Sequence, residues 1–205
     1  MALGNDYHWV IPNYYDVHDW PARGSSGKYV LFMGRIVDTK GLHIIGEIAK
    51  RMNSVDFVIA GHGDPKPFMV SKNMHYLGPV EAEKRAALYA NAICTLTPSR
   101  YIEPFCGVAV ESMLCGTPAI GSSFGAFTET IEHGLSGFRC RTLIEWIKAI
   151  EITSDWGASN WSEVRRYAQQ KYDMYKLASS YDKVFKYISD LRGPGWYSEN
   201  FYDWD

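Results

Sequence analysis

No apolar run in the 205 residues is long enough to cross a bilayer, and the first residues lack the basic-then-apolar order of a signal peptide. The chain is therefore expected to be cytoplasmic, which leaves peripheral membrane association open. A formal net charge of -2 and the absence of any basic run argue against nucleic acid as a partner. The four cysteines, Cys94, Cys106, Cys115 and Cys140, form no C-x-x-C pair and have no histidine at zinc spacing, so no metal site is expected. Three of them fall in expected strands or on a buried helix face, where a thiol is a small hydrophobe; Cys106 is the exception. Gly61-His62-Gly63 has Lys66 where a dinucleotide fingerprint needs its third glycine, and no P-loop lysine pattern exists. No repeat or low-complexity stretch is visible.

What remains is a chain that is 46% hydrophobic, long enough to bury one full core. Buried strands are expected at 29–34 (YVLFMG), 56–61 (DFVIAG), 74–78 (MHYLG), 92–99, from the TPAIGS stretch after the central helix, and at 137–140 (GFRC). Helices alternate with them. One runs from about 40 to 52 on the face of Leu42, Ile45, Ile48, Ala49 and Met52, and another from about 81 to 90. A third starts at Gly107, and a fourth spans about 126–133, closed by Gly134. Thr142 and Glu145 have capping-box spacing, as do Asn160 and Glu163 less strictly. A last helix, 174–191, carries a stripe of Met174, Leu177, Tyr181, Val184, Phe185, Ile188 and Leu191, expected to pack on the sheet and ended by Gly193-Pro194. The alternation predicts an α/β fold with a parallel sheet covered on both faces. Residues 1–28 read as an N-terminal arm or interdomain linker, with a flexible run at 23–28. Residues 29–192 read as the domain, and 193–205 as an aromatic tail containing Trp196, Tyr197, Phe201, Tyr202 and Trp204.

The stretch 98–118, PSRYIEPFCGVAVESMLCGTP, organises the rest. It holds Glu103 and Glu111 eight positions apart, between a strand end and a helix start. That junction favours an anion, because unpaired first-turn amides and the helix dipole converge there. The amides of Cys106, Gly107 and Val108 would face it, and the two carboxylates would flank it and suit hydroxyls. Arg35 and Lys40 follow Gly34 at the end of the first strand, a plausible diphosphate clamp. Taken alone, each pair reads better as solvated surface charge.

EPFCGVAVE, followed by SMLCGTPAIGSSFGAFTETIEHGLSGF, resembles the C-terminal half of a GT-B glycosyltransferase, in particular the retaining, nucleotide-sugar-dependent group with two glutamates seven residues apart. VIPNYYD at 10–16 resembles the opening of that family's second domain, and GRIVDTKG its GR-x-x-x-x-KG. The resemblance implies a Rossmann-like donor-binding domain. It implies that Arg35 and Lys40 hold the donor diphosphate and stabilise the departing nucleotide, that Glu103 contacts the sugar, and that Glu111 grips the ribose. It also places the backbone near Pro79 and Val80 against the base, puts Gly34, Phe105, Cys106, Gly107 and Val108 in the donor site, and sets Gly125 and Glu129 near the cleft. Cys106 departs from the pattern, since the family has glycine directly after the Phe. A nucleoside diphosphate sugar is then the substrate, with no cofactor and no metal. An acceptor domain, supplied by more of the chain or by another chain, would complete the enzyme, and the aromatic tail would be its docking surface. A binding module without turnover is the alternative; an epimerase or phosphorylase of the same shape is a third. Replacing Arg35 or Lys40 by alanine is expected to weaken nucleotide binding and leave the fold intact.

Overall fold

The computed structural model describes residues 9–190. Its centre is a six-stranded, all-parallel sheet in the order β3-β2-β1-β4-β5-β6. The strands are β1 (Tyr29–Met33), β2 (Phe57–Ala60), β3 (Met74–Gly78), β4 (Ala92–Thr97), β5 (Ala119–Ser122) and β6 (Gly137–Cys140). Strands β2 and β5 are buried at every position, as an apolar run covered on both faces must be, whereas the edge strand β3 alternates with solvent.

Side chains of β1 divide by the two-residue period of a strand. Val30 and Phe32 join the core under α1 (Leu42–Ala49) and α5 (Leu143–Ser154). Leu31 and Met33 join the core under α2 (Ala82–Ala90), α3 (Gly107–Leu114) and α6 (Ala158–Tyr172). From β1 the chain builds outward through β2 and β3, then returns to lay β4, β5 and β6 on the other side. The strand order therefore reverses between β1 and β4, and the carboxyl ends of those two strands flank the crevice where open α/β sheets bind ligands.

Several expectations need correcting. Helix α1 starts at Leu42, not near 40, because Asp38–Lys40 is a separate 3-10 turn stopped by Gly41. The helix expected at 126–133 is reduced to α4 (Phe127–Thr130). Ile131 leaves it in an extended conformation and buries its side chain beside Gly121 of β5, so Gly134 turns the chain toward β6 instead of capping a helix. Thr142 and Glu145 form the expected capping box on α5. Asn160 does not start a helix; it lies inside α6, and its Oδ1 accepts from the Gly157 amide at 3.2 Å.

The last helix, α7 (Met174–Asp190), does not pack on the sheet. Both faces are already occupied, and its stripe is half-buried, with Phe185 exposed. Tyr181 and Tyr187 instead meet Tyr14 and Trp9 of the N-terminal segment at ring distances of 6.0 and 5.8 Å. Leu191, Gly193-Pro194 and the tail 193–205 lie outside the described residues.

Residues 9–28 are largely exposed but anchored to the domain at a few points. Val17 and Trp20 are buried, and the Tyr15 backbone is held between Tyr172 and Met174. Arg23, first residue of the run expected to be flexible, is buried with its guanidinium 4.3 Å from the Trp161 ring centroid. It and Arg165 serve the carboxyl end of α3: the Arg23 amide bonds the Cys115 carbonyl, and the Arg165 side chain bonds that of Leu114. Cations gather at the negative end of the helix dipole. The positive end faces the crevice.

Candidate functional site

Two loops build the crevice. Gly34 closes β1 with its amide bonded to the Ala60 carbonyl, and Arg35 follows it, exposed at the edge. The 3-10 turn then delivers Lys40. From β4 come Ser99, Tyr101 and Glu103, and four residues later α3 begins. The loops are stitched together by the Arg100 amide on the Thr39 carbonyl at 2.8 Å and the Arg100 guanidinium on Asp38 at 2.9 Å.

At their junction Lys40 Nζ lies 2.6 Å from Glu103 Oε1 and donates to the Tyr101 hydroxyl at 2.8 Å. Glu103 is buried, and a buried carboxylate needs donors. It has three: Lys40, Ser99 Oγ at 2.5 Å, and the Tyr101 hydroxyl at 2.6 Å. Burial pushes its carboxyl up, but those three bonds outweigh burial and hold it below the usual carboxylate range. Burial pushes the Lys40 ammonium down, and the bonds to Glu103 and Tyr101 reverse that to a net rise. Both groups are charged at neutral pH. The sequence reading took Lys40 and Glu103 as separate contacts; the structure makes them one ion pair.

Glu111 sits one turn into α3. Its Oε2 accepts from the Tyr89 hydroxyl at 2.9 Å and from Arg85 Nη1 at 3.5 Å, both on α2. Gly107 opens α3, and a Cβ there would lie 2.7 Å from the Tyr15 hydroxyl, which would have to shift. The amides of Gly107 and Val108 have no acceptor among the described residues. Phe105 packs edge-on to Tyr172 at 5.7 Å. Gly125 lies against Glu103, and the Ala126 amide bonds the Glu103 carbonyl at 3.0 Å. Glu129 is exposed, with its carbonyl bonded to Lys171. Val80 stands apart at the β3–α2 junction, in a groove it shares with Leu77, Pro79 and Leu88.

Cys106 is the N-cap of α3 at φ 65, among the described residues the one non-glycine with positive φ. Burial pushes its thiol up to about 12, so it is not a thiolate nucleophile. Its cost is conformational. Cys106→Gly is expected to raise stability by about 0.5–1 kcal/mol, the left-handed penalty exceeding the added freedom of glycine in the unfolded chain; a lower denaturation midpoint for the variant would contradict this.

Ser99, Tyr101, Arg85 and Tyr89 are the site residues that sequence reasoning missed. Ser99 and Tyr101 lie four and two positions before Glu103, but a hydroxyl near an acid is no signal until the acid is known to be buried. Arg85 and Tyr89 share a helix face at i, i+4, but nothing local links that face to Glu111.

The family model described as Glycosyl transferases group 1 matches residues 20–152, which include both loops and α3. The chain belongs to this family. An uncharacterized glycosyltransferase of Methanocaldococcus jannaschii is 30% identical over 184 residues, covering 81% of this chain and 46% of that protein. A phosphatidyl-myo-inositol mannosyltransferase of Mycobacterium tuberculosis is 29% identical over 152 residues, covering 66% of the chain and 40% of that protein. This group 1 glycosyl transferase chain thus spans about half the length of the curated relatives it matches. The fold of Anabaena HepE, solved with UDP and glucose, superposes with a TM-score of 0.76 at 21% identity over 87% of this chain and 56% of that one. A glycosyltransferase involved in avilamycin A biosynthesis gives 0.77 at 22% identity, over 92% and 60%. The architecture is that of the C-terminal half of a GT-B fold.

Proposed function

We propose that the chain binds a nucleoside diphosphate sugar in the crevice between β1 and β4 and, with an acceptor domain, transfers the sugar to a hydroxyl acceptor with retention of configuration. The observation that carries this is the Lys40–Glu103 pair at 2.6 Å, made by the two loops flanking the start of α3. An ammonium has three protons, and Lys40 spends two on Glu103 and Tyr101. The third is available to a phosphate oxygen without breaking the pair. Arg35 and the first-turn amides of α3 supply the other contacts to the diphosphate. Negative charge growing on that diphosphate as the glycosidic bond breaks is stabilised by preorganised cations and amides, which requires no metal. Glu103 faces the donor sugar and Glu111 the ribose, with Phe105 and Cys106 lining the turn between them and Val80 near the base. That the related Anabaena fold was solved with UDP and glucose supports a sugar-nucleotide ligand.

The exposed side chains of Trp9, Val10, Tyr14, Phe185 and Tyr187 lie on the N-terminal segment and α7. Because the chain spans about half of its relatives, we assign this apolar surface to contact with the acceptor domain. The same coverage favours a second reading, in which the chain by itself binds the nucleotide sugar without turnover. Donor hydrolysis or transfer by the isolated chain would exclude that reading.

A thermal-shift screen against UDP, GDP, ADP and their sugars tests the proposal, since a ligand of the native state raises the melting temperature. No shift with any of them would remove it. Arg35 is exposed and makes no side-chain hydrogen bond or ion pair among the described residues. Arg35→Ala should leave the ligand-free melting temperature unchanged and weaken diphosphate affinity about tenfold in calorimetry. Unchanged affinity would take Arg35 out of the site.

A further inference from the structure

We propose that Arg85 and Tyr89 are positioning residues that fix the Glu111 carboxylate for the ribose hydroxyls of a nucleoside diphosphate, and so set preference for ribonucleotides over deoxyribonucleotides. The proposal rests on the donor-site reading above.

Residues 85 and 89 lie one turn apart on α2, on the face turned to α3. Tyr89 is fully buried, and a buried phenol must find an acceptor. It finds Glu111 Oε2 at 2.9 Å, the oxygen that Arg85 also approaches at 3.5 Å. Burial first, and the neighbouring Glu111 second, push the Tyr89 hydroxyl well above its ordinary range, so it stays a donor. The other oxygen, Oε1, lies toward the helix opening, 3.8 Å from where a Cβ on Gly107 would be. One carboxylate thus has two jobs. Oε2 is anchored inside the protein, and Oε1 is presented to the first turn of α3, where the ribose lies next to the diphosphate.

The anchoring matters because the terminal torsion of a glutamate is broad and holds no preferred plane by itself. With Oε2 tied to a side chain that the core does not let move, the lone pairs of Oε1 keep one direction. A hydroxyl donor is rewarded only if it arrives along that direction. Helix α2 begins two residues after Val80, with Glu81 as its N-cap, so the element that orients Glu111 follows the loop assigned to the base.

Tyr89→Phe keeps the buried ring and removes the hydroxyl. Calorimetry would compare parent and variant with whichever of UDP, GDP or ADP the parent binds most tightly, and with its 2′,3′-dideoxy analogue. The parent should prefer the ribonucleotide by about tenfold or more, and the variant should lose about fivefold of that ratio while binding the dideoxy form as before. In a Glu111→Ala background, Tyr89→Phe should leave the ratio unchanged, since it acts through Glu111. Equal ratios in parent and variant would overturn the proposal, as would an equal loss for both ligands, which marks a structural role. A parent that binds a diphosphate with no preference for the ribose form also overturns it but leaves the donor site standing. A parent that binds none of the three removes the donor site itself. Should Tyr89→Phe fail to fold, Arg85→Gln on the half-exposed Arg85 carries the same comparison.

Discussion

Lys40→Ala destabilises the ligand-free domain by about 2–3 kcal/mol at neutral pH, in contrast to the neutral effect expected of Arg35→Ala. From sequence, both cations were expected to clamp the diphosphate and both variants to leave the fold intact; the structure separates them. The Lys40 and Glu103 side chains are 20% and 5% exposed and bond to each other at 2.6 Å. Removing the ammonium leaves a buried carboxylate facing only two hydroxyls, and an uncompensated buried charge costs more than the pair itself contributes. Chemical denaturation measures the loss. Adding Glu103→Gln to Lys40→Ala should recover part of it, because an amide needs no counter-ion.

The same pair fixes the pH dependence. Glu103 is lowered on folding, so its stabilisation is present above the unfolded carboxyl value of about 4.3 and is lost as pH falls through the lower folded value. Lys40 is raised, so its share is present below the unfolded value of about 10.4 and is lost as pH rises through the raised one. The penalty of Lys40→Ala should therefore be flat between about pH 5 and 10 and shrink in acid. A penalty under about 0.5 kcal/mol at neutral pH would class the pair with ordinary surface salt bridges and refute its burial.

The sheet was legible because strands buried on both faces leave an apolar run, and VLFM, FVIA and AIGS are such runs. The destination of α7 was not. An apolar stripe declares that a helix is covered without naming the cover, and here the nearest cover is Trp9 and Tyr14, more than 160 residues back along the chain. The end of α4 was misread for a related reason. Gly134 has the look of a cap, but Ile131 leaves the helix to reach the core beside Gly121, and that tertiary demand leaves no local trace. In the site, the spacing of Glu103 and Glu111 and the order of Arg35 and Lys40 were visible as pattern. The partners that orient them were not, because a hydroxyl that satisfies a buried acid looks like any other serine or tyrosine.

Gly41→Ala should cost about 3 kcal/mol or more, a fall of about 10 °C in melting temperature for a domain of this size. Gly41 stands at φ 75 between the 3-10 turn and α1, a conformation that a Cβ disfavours. Strain is the smaller part. A Cβ there would overlap the Pro98 carbonyl oxygen and lie 2.8 Å from the Pro98 carbonyl carbon, and neither is the end of a flexible side chain. The β1 loop would have to move away from the β4 loop, against the bonds from Arg100 to Thr39 and Asp38 and from Lys40 to Tyr101 and Glu103. Stability and nucleotide affinity should then fall together, because the backbone contact that places Gly41 is also the one that places Lys40. Gly24→Ala is the matched control: a Cβ at Gly24 meets nothing within 4 Å, so that variant should remain within about 0.5 kcal/mol of the parent. If Gly41→Ala behaved like the control, the two loops would not be held as one unit, and the crevice would owe its geometry to its ligand instead.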